Sequence, residues 1–137
     1  MRILLADDQP KVRFALRTLL ERKLGFEIVG EASDIREMWQ QVEVGCPDLL
    51  LLDWELPGPK VHHLMSALHA ICPGLQVIAL SGRPEMRQAA MKAGVDAFVC
   101  KCDPPESLLA AFEDIALNPV RTGITEEIDG RETAAKV

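Results

Sequence analysis

The sequence predicts an open α/β fold, a parallel sheet of five strands with helices on both faces. Three observations carry that expectation. Short apolar runs recur along the chain, continuous rather than alternating, as strands buried on both faces require. Between them lie segments whose apolar residues repeat at the spacing of amphipathic helices. Gly, Pro and helix-capping residues fall at the joints between the two kinds of segment.

The first strand is Ile3–Ala6. The helix after it starts at Pro10, shows a stripe of Val12, Ala15, Leu16, Leu19 and Leu20, and stops at Gly25. Ile28–Val29 is the second strand. Its helix carries Ile35, Met38, Trp39 and Val42, opened by a capping box of Asp34 and Glu37 and ended by Gly45-Cys46-Pro47. Leu49–Leu52 is the third strand, and the next helix presents Val61, Leu64, Leu68 and Ile71 before Cys72-Pro73-Gly74. Val77–Leu80 leads to the weakest helix, Pro84–Ala93, closed by Gly94. Its stripe is Met86, Ala89, Ala90 and Ala93, and such small side chains bury little area, so it should be the most loosely held. The fifth strand, Ala97–Cys100, precedes a capping box of Asp103 and Glu106 with Pro104 at the first helical position. The last stripe is Leu108, Leu109, Phe112, Ile115 and Ala116. One domain is therefore expected over residues 1–117. Asn118–Val137 has Pro119, two glycines, scattered charges and no stripe, so it is expected to be a poorly ordered tail.

Composition bounds the function. A chain of 137 residues that is 48% apolar suits one folded domain and excludes disorder for most of its length. No apolar run approaches the ~20 residues a bilayer needs. The opening stretch ends in Asp7-Asp8, where a signal peptide carries no acids. A cytoplasmic protein with no membrane partner is the expectation. With 15 basic against 21 acidic residues the net charge is −6, which argues against direct nucleic-acid binding by this chain. Cys46, Cys72, Cys100 and Cys102 form no C-x-x-C pair and read as free buried thiols in a reducing compartment. His62 and His69 could share a helix face, but no carboxylate completes a ligand set around them.

In such sheets ligands bind at the carboxyl ends of the strands. The first strand ends in Asp7-Asp8, the third in Asp53, the fourth in Ser81-Gly82 and the fifth in Lys101. Ionised carboxylates side by side repel unless a cation joins them or one stays protonated. Oxygen-only ligands in an open cleft suit Mg²⁺. The turn Trp54-Glu55-Leu56-Pro57-Gly58 could aim a backbone carbonyl at the same ion. Lys101 adds a point charge and Ser81 a hydroxyl donor. The set suits phosphoryl transfer, with Asp53 as the nucleophile that forms an aspartyl phosphate.

Several runs together resemble bacterial response-regulator receiver domains. They are Ile3-Leu4-Leu5-Ala6-Asp7-Asp8-Gln9-Pro10, Pro47-Asp48-Leu49-Leu50-Leu51-Leu52-Asp53 with Leu56-Pro57-Gly58, and Ala79-Leu80-Ser81-Gly82. Ala93-Gly94-Val95-Asp96-Ala97-Phe98-Val99-Cys100-Lys101 and Pro105-Glu106-Ser107-Leu108 complete the pattern, which covers residues 1 to about 117. The resemblance implies a flavodoxin-like strand order of 2-1-3-4-5. It implies a two-component phosphoacceptor in which Asp53 takes a phosphoryl group from a histidine kinase or a phosphotransfer protein. Asp8, Asp7, Asp53 and the Glu55 backbone carbonyl would hold Mg²⁺. Ser81, Lys101 and the backbone of Trp54 and Gly82 would contact the phosphoryl oxygens. Ser81 and Phe98 would form the switch: Ser81 turns in, Phe98 rotates from solvent to the interior, and the surface of the fourth helix, fifth strand and fifth helix binds an output partner or a second copy. Such a protein is a signalling switch that catalyses only its own phosphorylation and dephosphorylation.

The chain departs from the pattern at Val61, where the family usually has Gly, and at Cys102, where many members have Pro after the lysine. A non-proline there is common in the subfamily that often carries helix-turn-helix outputs. Residues 118–137 are too short for such a module, so a stand-alone receiver and a piece of a longer regulator both remain open. Three rivals also stay open. An aspartyl-phosphate phosphatase would want a second Asp where Glu55 stands, and a nucleotide binder would want a Gly-rich loop where Asp7-Asp8 stands. A degenerate receiver acting as a protein-interaction module would not need the intact acidic pair and lysine.

Overall fold

A computed structural model describes residues 1–23, 25–59 and 63–117. The tail assigned to 118–137, and Val61 and His62 of the third helical stripe, lie outside the described residues. The elements alternate as β1 (Arg2–Ala6), α1 (Pro10–Glu21), β2 (Glu27–Ala32), α2 (Ile35–Gly45), β3 (Leu49–Asp53), α3 (Leu64–Ile71) and β4 (Gln76–Ser81). A 3₁₀ turn at Pro84–Met86 runs into α4 (Arg87–Lys92), followed by β5 (Ala97–Cys100) and α5 (Pro105–Leu117). The five strands form one parallel sheet in the order β2-β1-β3-β4-β5, as the resemblance implied.

Period-two alternation along each strand divides the core in two. Leu4, Ala6, Leu50, Leu52, Val77 and Ala79 point to one face and pack with Met38 and Val42 of α2, Leu68 of α3 and Ala90 of α4. Ile3, Leu5, Leu49, Leu51, Ile78 and Leu80 point to the other and meet Leu20 of α1 and Leu108, Phe112 and Ile115 of α5. Both faces are dry at β3 and β4, which is why those strands read as unbroken apolar runs. The edge strand β2 is longer than Ile28–Val29 and carries Glu27, Glu31 and a half-exposed Val29. An edge strand faces water on one side, and its polar positions hid its true length.

Capping follows the sequence at α2, where the Asp34 carboxylate accepts from Glu37 N–H at 2.8 Å. The reciprocal half differs: the Glu37 carboxylate accepts from Ser33 N–H at 2.7 Å. At α5 the expected box does not form. The helix starts at Pro105, not Pro104, and the Asp103 carboxylate instead accepts from Cys100 N–H at 3.3 Å. α1 ends at Glu21, so Gly25, at φ +87°, shapes the turn after the helix rather than its cap. Gly58, at φ +132°, is required for space as well as conformation, because a Cβ there would lie 2.7 Å from Ile35 Cβ. That close approach lets Pro57 O accept from Ile35 N–H at 2.8 Å, tying the loop after Asp53 to α2.

Four residues expected in the buried stripes are exposed, Ile71 at the end of α3 among them, and the cysteines are not free thiols. Ala15 is exposed on α1, beside Phe14, which is 72% exposed. Ala89 and Ala93 are exposed too, so α4 is held mainly by Ala90, with Met86 packed beside it. The cysteines are bonded in pairs, Cys46 to Cys72 and Cys100 to Cys102. Cys46 and Cys72 cap the carboxyl ends of α2 and α3, and their Cα atoms stand 5.5 Å apart, within the span a disulfide needs. Helical periodicity says which face of a helix is buried but not which helix ends adjoin, so spacing gave no sign of this pair. His69 Nε2 lies 2.8 Å from Leu75 O, a structural contact. Among the described residues no helix is long and apolar enough to cross a membrane.

Candidate functional site

The register of the sheet builds the acidic site. β1 and β3 are neighbours, with Ala6 opposite Leu52, so the next residues, Asp7 and Asp53, emerge side by side at the carboxyl rim. Asp7 is 1% exposed and Asp53 3%, while Asp8 is open to solvent. The three carboxylates each present an oxygen within 4.8 Å of the others. Lys101, just past β5, reaches over the end of β4 and places Nζ 2.7 Å from Asp7 Oδ2 and 3.6 Å from Asp53 Oδ2. Arg13 of α1 steadies the rim from below, donating to Asp7 O at 2.6 Å and to the Glu31 carboxylate at 2.8 Å.

Burial pushes the Asp53 carboxyl up to about 6, and the charge of Asp7 and the neighbouring Asp8 add to it. The Glu55 N–H, donating to Asp53 Oδ1 at 2.9 Å, and the Lys101 ammonium pull the other way without prevailing. Asp7 Oδ1 accepts from Gln9 N–H at 2.9 Å, but Oδ2 accepts no well-aligned hydrogen bond and faces only the ammonium. Buried oxygens in excess of their donors, all from carboxylates, are a donor set that fits a hard cation such as Mg²⁺.

Other site residues sit differently from expectation. Ser81 is fully buried at the end of β4, yet its hydroxyl donates to the Glu55 carboxylate at 2.9 Å and accepts from Arg83 N–H at 3.0 Å. Its hydrogen bonds thus go to Glu55 and Arg83 and not to Asp53. The Trp54 N–H, expected to meet a phosphoryl group, is committed to Leu80 O at 2.7 Å, because it continues the β3–β4 ladder. The N–H that does face the site belongs to Glu55. Gly82 lies on the open rim, where a Cβ would meet nothing within 4 Å. Phe98 is not solvent-facing: it is 5% exposed, packed in the core beneath α4, with the Arg87 guanidinium 4.9 Å from its ring centre. Arg87 also donates to Phe98 O at 3.3 Å. Neither Glu55 nor Arg87 stands out in the sequence for these roles, since a hydrogen-bonding or stacking role depends on neighbours brought in by other strands.

Comparison with known proteins agrees with the sheet. Residues 3–113 match the family described as response regulator receiver domain. The chain is 32% identical over 116 residues to the nitrate/nitrite response regulator protein NarL of Escherichia coli K12, covering 83% of this chain and 54% of NarL. It is 34% identical over 118 residues to the transcriptional activator protein ExaE of Pseudomonas putida, covering 84% and 55%. The chain thus spans about half the length of these curated relatives. Among solved structures, a LuxR-family two-component response regulator from Aurantimonas sp. SI85-9A1 superposes with a TM-score of 0.76 at 29% identity, covering 85% of each chain. The isolated REC domain of RcsB from Salmonella enterica serovar Typhimurium, solved with the phosphomimetic BeF3-, gives 0.76 at 25% identity, covering 93% of this chain and 94% of that one. RcsB is also described bound to promoter rprA, in a chain of which this one covers 60%, so the expectation against nucleic-acid binding bears on this stretch alone. The match over residues 3–113 takes in the whole sheet but for the first residue of β1, and all the helices but for the end of α5, and the chain belongs to the response regulator receiver domain family.

Proposed function

We propose that residues 1–117 act as a Mg²⁺-dependent phosphoacceptor in a two-component system, with Asp53 as the acceptor. The observation that carries this reading is the packing of Asp7, Asp8 and Asp53 within 4.8 Å, with the Lys101 ammonium against two of them. The Asp53 carboxylate attacks the phosphorus of a phosphohistidine on a histidine kinase or phosphotransfer protein, an O–P bond forms, and the N–P bond to the imidazole breaks. Lys101 meets charge on the transferring oxygens, and the Glu55 N–H fixes the rotamer of the nucleophile. Asp7, Asp8, Asp53 and the Glu55 backbone carbonyl would hold Mg²⁺, which when bound neutralises the carboxylates and the phosphoryl oxygens. The only reactions catalysed are phosphorylation of Asp53 and its hydrolysis.

Transfer needs a donor surface beside the rim. A groove of about 630 Å³ opens between α1 and the start of α5, lined by Lys11, Phe14, Thr18, Lys101, Pro105 and Leu108. Exposed Phe14 on that groove suits docking of the donor protein's helices. Phosphorylation exchanges a carboxylate for a dianion with new acceptor oxygens, drawing Ser81 from Glu55 and shifting α4 and β5 to present an output surface. Incubation with Mg²⁺ and a small acyl phosphate should add one phosphoryl mass on the peptide holding Asp53. Absence of that increment, or its survival in Asp53→Asn, would sink the proposal.

A further inference from the structure

Two cysteines bracket the lysine of the acidic rim. Cys100 ends β5 and is buried, Cys102 is exposed, and their sulfurs are bonded across Lys101. The same short stretch is pinned at three backbone points. Lys101 N–H donates to Ser81 O at 2.8 Å, Asp103 N–H to Cys100 O at 2.9 Å, and Cys100 N–H to the Asp103 carboxylate at 3.3 Å. The bond therefore closes a small ring whose middle residue supplies the ammonium at Asp7 and Asp53. The Cys46–Cys72 bond differs in kind: it joins two helix ends 26 residues apart and touches no rim residue.

We propose that Cys100 and Cys102 form a thiol–disulfide exchange site for low-molecular-weight disulfides, and that its state sets how Lys101 is held against Asp7 and Asp53. Accessibility assigns the order of events. Starting from the dithiol, exposed Cys102 loses its proton to solvent and attacks one sulfur of the external disulfide. An S–S bond forms to Cys102, the external S–S bond breaks, and one thiol leaves. Cys100 then loses its proton and attacks Cys102 Sγ, forming the ring and releasing the second thiol. The two cysteines give up two electrons and two protons in all, and the external disulfide takes up both. Reduction runs the same steps backward. Opening the ring leaves Lys101 on its strand hydrogen bond but frees the turn at Cys102 just after it. A 1 Å displacement of a catalytic group costs up to ~100-fold in rate, so a change of roughly tenfold is expected.

The second half of this proposal rests on the phosphoacceptor reading, and the experiment separates the two. The protein is equilibrated in glutathione buffers of rising oxidised fraction, alkylated, and mapped by peptide mass. The 100–102 peptide should lose both alkylations together. Cys100→Ser should trap a glutathione adduct on Cys102, whereas Cys102→Ser should leave buried Cys100 without one. Alkylation that ignores the buffer, or an adduct on Cys100 in Cys102→Ser, overturns the exchange site. Labelling of Asp53 by a small acyl phosphate should be roughly tenfold slower after reduction, and equally slow in Cys102→Ser, which opens this ring and leaves Cys46–Cys72 closed. Equal rates in all three forms overturn the link to Lys101. Labelling absent from every form counts against the phosphoacceptor reading, while the mass map still decides the exchange site.

Discussion

The Ser81 hydroxyl and the Glu55 carboxylate hold each other at 2.9 Å across the ends of β4 and β3, so the hydroxyl donates to Glu55 and not to Asp53. If Asp53 is phosphorylated as proposed, its phosphoryl oxygens would compete with that carboxylate for the one hydroxyl proton. The hydrogen bond to a charged group at this half-buried place stabilises the unmodified arrangement by about 1–2 kcal/mol.

Removing the first acceptor should bias the switch. Glu55→Ala is expected to raise the population of the active arrangement about fivefold or more, the equivalent of roughly 1 kcal/mol. Glu55→Gln, whose amide oxygen still accepts, should not. Amide exchange over residues 81–100 reads the difference: the Ala variant should move toward the pattern the parent shows with a phosphoryl mimic. Ser81→Ala should be labelled at Asp53 nearly as fast as the parent yet show little of that change.

Asp53 makes the fold sensitive to pH. Its folded value of about 6 lies above its ordinary 3.8, so between those values the folded state holds more protons than the unfolded one. Stability from this group therefore falls as pH rises from about 4 to 6, by up to about 3 kcal/mol, and stays low above that. Asp53→Asn abolishes the slope. In chelator at pH 7 the variant should unfold at higher urea than the parent, with the two converging near pH 4. A parent curve flat across that window would contradict the assignment.

Mg²⁺ should reverse the penalty. Three carboxylates and one ammonium leave a charge of −2, which one divalent cation cancels. Trp54 stands next to Asp53 and is half-buried, so its fluorescence should report a saturable Mg²⁺ titration. Asp8→Ala, at the exposed ligand, should weaken that titration and slow acyl-phosphate labelling with little loss of fold stability. An unchanged titration would remove Asp8 from the site.

Phe14 separates chemistry from docking. Phe14→Ala should slow transfer from a kinase phosphohistidine by roughly tenfold, the scale of an interface residue that costs more than 1 kcal/mol on truncation. Labelling by a small acyl phosphate should not change. Equal effects on both donors would place Phe14 outside the docking surface.

Much of the site is legible from residue order alone. Asp7, Asp8, Asp53 and Lys101 can be placed because strands buried on both faces announce themselves as unbroken apolar runs, and the residues just past those runs share one rim. The partners of Ser81 are not legible, since a hydroxyl beside two carboxylates can turn to either, and the choice depends on side-chain packing. Phe98 is misplaced by sequence for a related reason: an aromatic at a sheet edge is exposed or covered according to the helix above it, and Arg87 provides the cover. The cysteine pairs escape because spacing along the chain carries no information on which helix ends meet.

The Cys46–Cys72 bond has a mechanical consequence for the whole face it lies on. It welds the carboxyl ends of α2 and α3 at the edge of the sheet opposite Asp53, closing a 26-residue span that contributes roughly 3 kcal/mol. Two of the three helices on that face thus form a stator, anchored at the far end by a covalent pin. Among those three helices only α4, seated on Ala90 and tethered to β5 through Arg87, lacks such a pin. If Asp53 is phosphorylated as proposed, force generated at the rim would have one compliant route, and work done there would emerge as displacement of α4 rather than dissipating across the layer.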